Sequence, residues 1–187
     1  MGSDLTCKTG RLPLGESSFL RLLEESDAGD LYCLIEANRA HLARWLPWAA
    51  GQTLEDTLAF IVRTREQLAG NDGFQTAIVT GGEIVGIVGY HGVDWGNRTT
   101  SLGYWLSESS QAAGTMSAAV RLLTDHALST WELNRVEIRA AVDNRRSRAI
   151  PERLGFHQEG VLREVERVAG HPLDLAVYSM LSADRMD

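Results

Sequence analysis

Apolar residues alternate or recur at helical spacing in eleven segments, and each segment predicts one element. Phe19 to Glu24 reads as a first strand, and Ser26 or Asp27 caps a helix that runs to about Asn38. Thr53 caps a second helix, whose stripe is Leu54, Leu58, Ile61 and Leu68; Gly70-Asn71-Asp72-Gly73 stops it. Phe74 to Thr80 and Glu83 to His91 are strands joined by Gly81-Gly82, a two-residue hairpin signal. Arg98 to Leu106 is the next strand. The helix after Gly114 turns Val120, Leu123 and Ala127 inward. In the following strand Val136, Ile138 and Ala140 alternate with Glu137 and Arg139. A short helix closes at Gly155, and Phe156 to Glu166 and Pro172 to Leu181 form a final antiparallel pair. The order β-α-α-β-β-β-α-β-α-β-β predicts an α/β protein: a mixed sheet of seven strands with four helices over its faces.

Composition narrows the class. The 187 residues are 44% hydrophobic, which suits one domain, and no repeat, linker or low-complexity tract interrupts them. No apolar run approaches the roughly 20 residues that span a bilayer. Met1 to Lys8 lacks a signal core, and Met1-Gly2 reads as a plain start rather than a myristoylation site. Cys7 and Cys33 read as free thiols of a cytoplasmic protein. A net charge of −7 argues against nucleic acid as a partner and is compatible with an amine-bearing or cationic substrate.

Candidate chemistry gathers at two neighbouring strand–loop–helix junctions. In the first, Trp105-Leu106-Ser107 runs into Gln111-Ala112-Ala113-Gly114-Thr115-Met116. Successive backbone N–H groups at a helix start attract phosphate, although such a loop also serves as an ordinary helix cap. In the second, Asn144 and Ser147 stand between the strand Val136 to Ala141 and the helix ending at Gly155. Ligands of open α/β sheets bind at such carboxyl ends, although Asn and Ser favour turns and caps for local reasons as well. Together the junctions suit a long phosphorylated cofactor. Glu166, among Arg163, Glu164 and Arg167, is either a solvated charge or a general base. Trp45-Leu46-Pro47-Trp48 is either a helix elbow or an apolar wall for a substrate. The five histidines form no metal-type spacing, and no G-x-S-x-G elbow is present.

These residues resemble the GNAT acetyltransferase superfamily, and within it the RimJ/RimL group, which acetylates N-terminal amines of ribosomal proteins. The resemblance spans about Phe19 to Leu181. It is most specific at Asn38-Arg39 through Trp48, at Gly103-Tyr104-Trp105-Leu106, at Leu133 through Phe156 and at Glu159-Gly160-Val161-Leu162-Arg163. It implies one GNAT domain over residues 1–187, core about 18–182, with a mostly antiparallel seven-stranded sheet and about four helices. It implies acetyl-CoA as cosubstrate and no metal. Pantetheine would lie along the backbone of Trp105, Leu106 and Ser107, and pyrophosphate on the loop from Gln111 through Ala112, Ala113, Gly114 and Thr115 to Met116. Asn144 would hold the pantetheine arm, Ser147 would sit near the thioester sulfur, and Glu166 near the incoming amine beside Trp45 and Trp48. The chain departs from the family pattern at Ala112-Ala113, where Gly-Arg or Gly-Lys is usual, and at Met116. Losing a cation and a permissive glycine weakens phosphate binding, and Arg145, Arg146 and Arg148 are the cations near enough in sequence to replace it.

The chemistry implied is direct attack in a ternary complex. Glu166, directly or through water, takes a proton from the ammonium. A backbone N–H near Leu106 meets the oxyanion, and Ser147, with Tyr178 as second choice, protonates or relays a proton to the thiolate. A protein or peptide N-terminus is the leading acceptor. A small amine (amino acid, polyamine or antibiotic) is the alternative, and a weakly catalytic acyl-CoA-binding protein stands behind both. A homodimer is compatible with the resemblance; a membrane partner is not expected.

Overall fold

A computed structural model describes residues 10–185. Cys7 and the Met1-Gly2 start lie outside the described residues, and Cys33 is an exposed free thiol. The strands are β1 (Arg11–Pro13), β2 (Ser18–Leu22), β3 (Gln75–Thr80), β4 (Glu83–Asp94), β5 (Thr99–Leu106), β6 (Arg135–Ala141), β7 (His157–Val168) and β8 (His171–Leu181). They form one sheet in the order β1-β2-β3-β4-β5-β6-β8-β7. The seven strands expected from alternation are all present. The eighth, β1, is a three-residue edge strand too short to alternate visibly. Gly81 and Gly82 both have positive φ, 61° and 93°, as the tight β3–β4 hairpin requires.

Helices α1 (Ala28–Ala37), α2 (Arg39–Leu42) and α3 (Leu54–Ala69) accompany an apolar layer of Leu23, Leu31, Ile35, Ile61, Ala77 and Ile87. Helices α4 (Thr115–Asp125) and α5 (Arg145–Leu154) accompany a second layer that holds Leu102, Val120, Leu123, Ile138 and Tyr178. All three residues expected to be buried after Gly114, Val120, Leu123 and Ala127, are fully buried.

Two local expectations are corrected. Asp27 does not cap α1 with its side chain. Its carboxylate instead accepts from the Arg21 guanidinium at 2.6 and 2.7 Å and from the Glu24 N–H at 2.8 Å, stronger charge-assisted partners than a helix amide. On α3 the Thr53 cap forms, and the Asp56 carboxylate returns a bond to the Thr53 N–H. The buried face, however, is Thr57, Ile61 and Thr64, while Leu54 and Leu58 are 49% and 39% exposed. The two threonine hydroxyls bond to the Thr53 and Ile61 carbonyls, each at 2.8 Å. With their donors satisfied locally, their methyl groups pack as apolar surface, which a count of apolar letters misses.

Candidate active site

The sheet forks in its middle. β5 and β6 pair in parallel only from Thr99↔Arg135 to Leu102↔Ile138. Beyond Leu102, β5 continues against β4 alone, and β6 continues to Ala141 against β8 alone. The Ser107 N–H bonds to the Val85 carbonyl at 2.8 Å. Antiparallel alternation then turns the polar groups of Gly103 and Trp105 toward β4, and those of Tyr104 and Leu106 into the fork. The fork thus offers an unpaired strand edge, opening three residues earlier than Leu106.

A cleft of about 1860 Å³ runs through the fork. That exceeds the roughly 300–1,000 Å³ of a site for one small molecule, so it has room for two substrates together. Trp45, Trp48, Trp105, Leu106, Asn144, Ser147, Glu166 and the whole loop Gln111 to Met116 line it. Ser107 does not. It is 2% exposed, its N–H is taken by Val85, and its hydroxyl donates to Ser110 Oγ at 2.8 Å.

At the loop, Gly114 has φ 81° and Ala112 has φ 68°. Ala112 therefore occupies a left-handed position that glycine adopts without strain. No side chain caps α4, and its first turn closes only with Ala118 N–H to Gly114 O at 3.0 Å. The N–H groups of Thr115, Met116 and Ser117 are left for an anion, and the helix dipole favours one there. Two arginines of α5 stand beside the loop. Arg146 Nη1 donates to Gln111 Oε1 at 2.8 Å, and Arg153 Nη2 to Ser117 Oγ at 3.1 Å. Arg148 is not one of them. It bonds to the Tyr178 hydroxyl at 2.8 Å and the Val142 carbonyl at 3.0 Å.

Asn144 caps α5, its Oδ1 accepting the Ser147 N–H at 3.2 Å, so its amide NH₂ is the part open to a ligand. The Pro151 nitrogen carries no proton, so the Ser147 carbonyl four residues earlier lacks its helical donor. The Tyr104 hydroxyl fills the gap at 3.0 Å and stands 3.5 Å from Ser147 Oγ. Burial pushes the Tyr104 phenol well up, keeping it a proton donor. Tyr178, the second-choice acid, is fully buried, and its hydroxyl lies between Arg148 and Glu152 outside the cleft. Tyr104 is the phenol at this site instead. Its position opposite Pro151 depends on a contact 43 residues apart, which no local pattern announces.

Glu166 reaches the cleft through a bulge. The register passes from Leu162↔Leu175 to Glu166↔Leu173, so β7 advances four residues while β8 advances two. Glu164 takes φ 48°, and its N–H bonds to Asp174 Oδ1 at 2.8 Å. Val165 and Glu166, neighbours that a regular strand would point to opposite faces, both line the cleft. Burial alone raises the Glu166 pKa, and its carboxylate has no hydrogen-bond partner among the described residues. Sequence reasoning also missed His91. A bulge sits between Tyr90 and Val93, and the His91 ring fills the space beside Gly103, where a Cβ would stand 2.1 Å from Nε2. Desolvation on its inner side, and then Arg139, lower its pKa. Among the described residues no cluster of three His, Cys, Asp or Glu side chains forms a metal site.

A sheet fork beside an uncapped helix start, with a raised carboxyl across the cleft, agrees with independent comparisons. Residues 18–157 match the family described as "Acetyltransferase (GNAT) domain". The chain is 38% identical over 181 residues, 96% of each chain, to YdaF of Bacillus subtilis (strain 168), named provisionally as a ribosomal N-acetyltransferase. It is 30% identical to the ribosomal-protein-serine acetyltransferase of Escherichia coli (strain K12), covering 92% of this chain and 97% of that one. Among solved structures, RimL, a ribosomal L7/L12 alpha-N-protein acetyltransferase in complex with coenzyme A, superposes with a TM-score of 0.87 at 26% identity, covering 91% of this chain and 97% of that one. This chain belongs to the GNAT acetyltransferase family and is an acetyl-CoA-dependent N-acetyltransferase.

Proposed function

We propose that the acceptor is the N-terminal α-amine of a protein or peptide, with ribosomal proteins, for which the relatives are named, as the first class to test. The observation that carries this is the cleft beyond the fork. The 39%-exposed Trp48 stands 6.1 Å from Trp105 there, and the two rings form an apolar wall on which the residues behind a peptide's N-terminus can lie. Acetyl-CoA supplies the activated acetyl group. Its diphosphate fits the open N–H groups of Thr115, Met116 and Ser117 flanked by Arg146 and Arg153, and its pantetheine arm fits the edge of Tyr104 and Leu106.

The residues act as follows. Glu166 accepts the proton from the acceptor ammonium, and its raised pKa improves the match to neutral pH. A single backbone N–H on this edge, near Leu106, meets the negative charge that develops on the acetyl oxygen, while the rest of the edge pairs with pantetheine. As the C–S bond breaks, Ser147 Oγ, held near the Tyr104 hydroxyl, gives its proton to the departing thiolate and recovers one from the adduct nitrogen, which sheds it on becoming an amide. Holding both substrates in one cleft supplies proximity, so no covalent enzyme intermediate is needed. We read residues 1–187 as one such domain, with its core over about 18–182. A cytoplasmic location matches the acetyl-CoA requirement, and no helix among the described residues is long and apolar enough to cross a membrane.

The test is CoA release and product mass with acetyl-CoA and a panel of acceptors. The panel contains peptides copying ribosomal-protein N-termini, the same peptides N-blocked, free amino acids, polyamines and aminoglycosides. Turnover should require a free peptide N-terminus. Turnover of small amines alone would move the assignment to that class.

A further inference from the structure

The loop that receives the diphosphate is held from the far side of the cleft by the α1–α2 elbow. Asn38 Oδ1 accepts the Glu108 N–H at 2.9 Å, and the Gln111 side chain lies 2.9 Å from His41 Nε2. The other end of the same amide accepts from Arg146 at 2.8 Å. The polarity of this chain is determined. Arginine only donates, so Gln111 must present Oε1 to Arg146 and its NH₂ to His41. His41 Nε2 must then accept, which places the ring proton on Nδ1, facing Glu108 Oε1 at 3.8 Å. Each member has one workable orientation, and the relay crosses three elements that lie 70 and 35 residues apart in sequence.

We propose that His41 and Gln111 are positioning residues for the diphosphate of acetyl-CoA: the relay His41–Gln111–Arg146 fixes Arg146, one of the two guanidiniums beside the loop that stand in for the cation absent from Ala112-Ala113. Arg146 is otherwise an exposed, rotamer-rich side chain. Holding it in place before the ligand arrives reduces the ordering cost that binding would otherwise carry. The relay rests on acetyl-CoA occupying this loop, and it also explains why the chain has Gln at position 111. A side chain with one acceptor and one donor end is needed to join a pure donor to an imidazole lone pair. His41 lines the cleft beside the loop, and its hydrogen bond runs to Gln111, which links it to Arg146.

The experiment compares full-chain wild type, Arg146→Ala, His41→Leu, His41→Gln and the His41→Leu/Arg146→Ala double variant. Acetyl-CoA and S-acetylpantetheine, which lacks the diphosphate, are the two probes. Calorimetric Kd is the first readout, and KM against kcat with a saturating peptide acceptor is the second. Arg146→Ala should weaken acetyl-CoA binding by about tenfold or more, and His41→Leu by about three- to tenfold, the range of a charge-assisted bond lost or loosened. S-acetylpantetheine should bind all variants equally, and the His41→Leu loss should appear in KM. His41→Gln, whose Oε1 can accept from Gln111, should recover most of the affinity. The double variant should bind no more weakly than Arg146→Ala alone. Tighter acetyl-CoA binding by His41→Leu would instead make the relay a latch that the cofactor must break. Equal losses for both probes would make it a packing contact. Either result overturns the proposal. Failure of wild type to acetylate any acceptor would strike the acetyltransferase reading, while the calorimetry would still judge the relay.

Discussion

At the scale of single residues, the proposed mechanism depends on two proton positions held in different ways. Glu166 has no partner and a pKa raised by burial, so its proton affinity is set by solvent exclusion alone. Ser147 is fixed by its backbone, through the Asn144 cap and the Tyr104 hydroxyl. Their loss should therefore look different. Glu166→Gln keeps size and polarity but cannot take a proton, and turnover at neutral pH should fall by roughly 10²–10⁴-fold with acetyl-CoA affinity preserved. The deficit should shrink as pH rises and free amine becomes abundant. Ser147→Ala should show a deficit that persists at high pH, because its task lies on the leaving group. A pH–rate profile from 6 to 9 separates the two. A Glu166→Gln enzyme with wild-type turnover across that range removes the base assignment.

At the scale of elements, alternation and glycine punctuation made most of the sheet legible, because burial on a pleated surface imposes a period of two. The Gly81-Gly82 hairpin, the Thr53 cap and the Val136 to Ala140 alternation all needed only neighbours within a few residues. The bulges were not legible, because a bulge is a relation between two strands. Nothing within Leu162 to Glu166 says that β8 will advance only two residues opposite it. The α3 stripe held at Ile61 and Leu68 but not at Leu54 and Leu58 for a related reason, since Thr57 and Thr64 become apolar only once their hydroxyls find carbonyls. Candidate residues on loops, such as Asn144 and the Gln111 to Met116 turn, were legible by their position at strand ends, whereas Tyr104, His91 and His41 reach the cleft through contacts across long sequence separations. The bulge also carries a prediction. The Asp174 carboxylate anchors the Glu164 N–H at 2.8 Å and touches neither substrate region nor core. Asp174→Ala should release the bulge and let Glu166 drift by about an ångström, a displacement that costs on the order of 10²-fold in rate. Stability should drop by only about 1 kcal/mol, the value of one exposed hydrogen bond. Asp174→Asn retains an acceptor oxygen and should restore most of kcat. Equal kcat in Asp174→Ala and wild type would mean that the bulge holds itself without this anchor.

At the scale of the whole molecule, buried histidines and paired carboxylates respond to acid in different pH windows. Behind β4 an aromatic group joins Phe74, Tyr90, Trp95 and Trp131, and His126 packs into it, 4.7 Å from the Trp131 ring and 5.9 Å from Phe74. His126 Nε2 is buried without a hydrogen-bond partner, and burial lowers its pKa. The unfolded chain takes up a proton there near the ordinary histidine value of about 6.5, while the folded chain does not until lower pH. Stability from this group is therefore complete above about 6.5 and declines as pH falls from there to the folded pKa, at up to about 1.4 kcal/mol per pH unit. His91, lowered in the same direction, adds to the loss. Glu166, raised by burial, works in the opposite sense: the stability it adds is complete below its ordinary value and is lost as pH rises through the folded one. The paired carboxylates act in a separate window. Arg135 and then Ser179 hold Glu159 at about 2. Asp27 and Glu137 also lie below the usual range: desolvation, the largest single effect, raises both, but Arg21 with the Glu24 N–H, and Arg135 with Arg139, together outweigh it. Stability from these three is present above roughly pH 4 and fails only below it. Between pH 7.5 and 5 the histidines thus dominate the decline. Urea unfolding at a series of pH values should show wild type losing stability through this window. His126→Leu, which keeps an apolar side chain in the aromatic group and leaves His91 and Glu166 untouched, should lose measurably less, so that the gap between the two proteins narrows or reverses as the solution is acidified. Parallel curves from pH 7.5 to 5 would show that His126 takes up its proton in the folded state and that the aromatic group opens to water without unfolding.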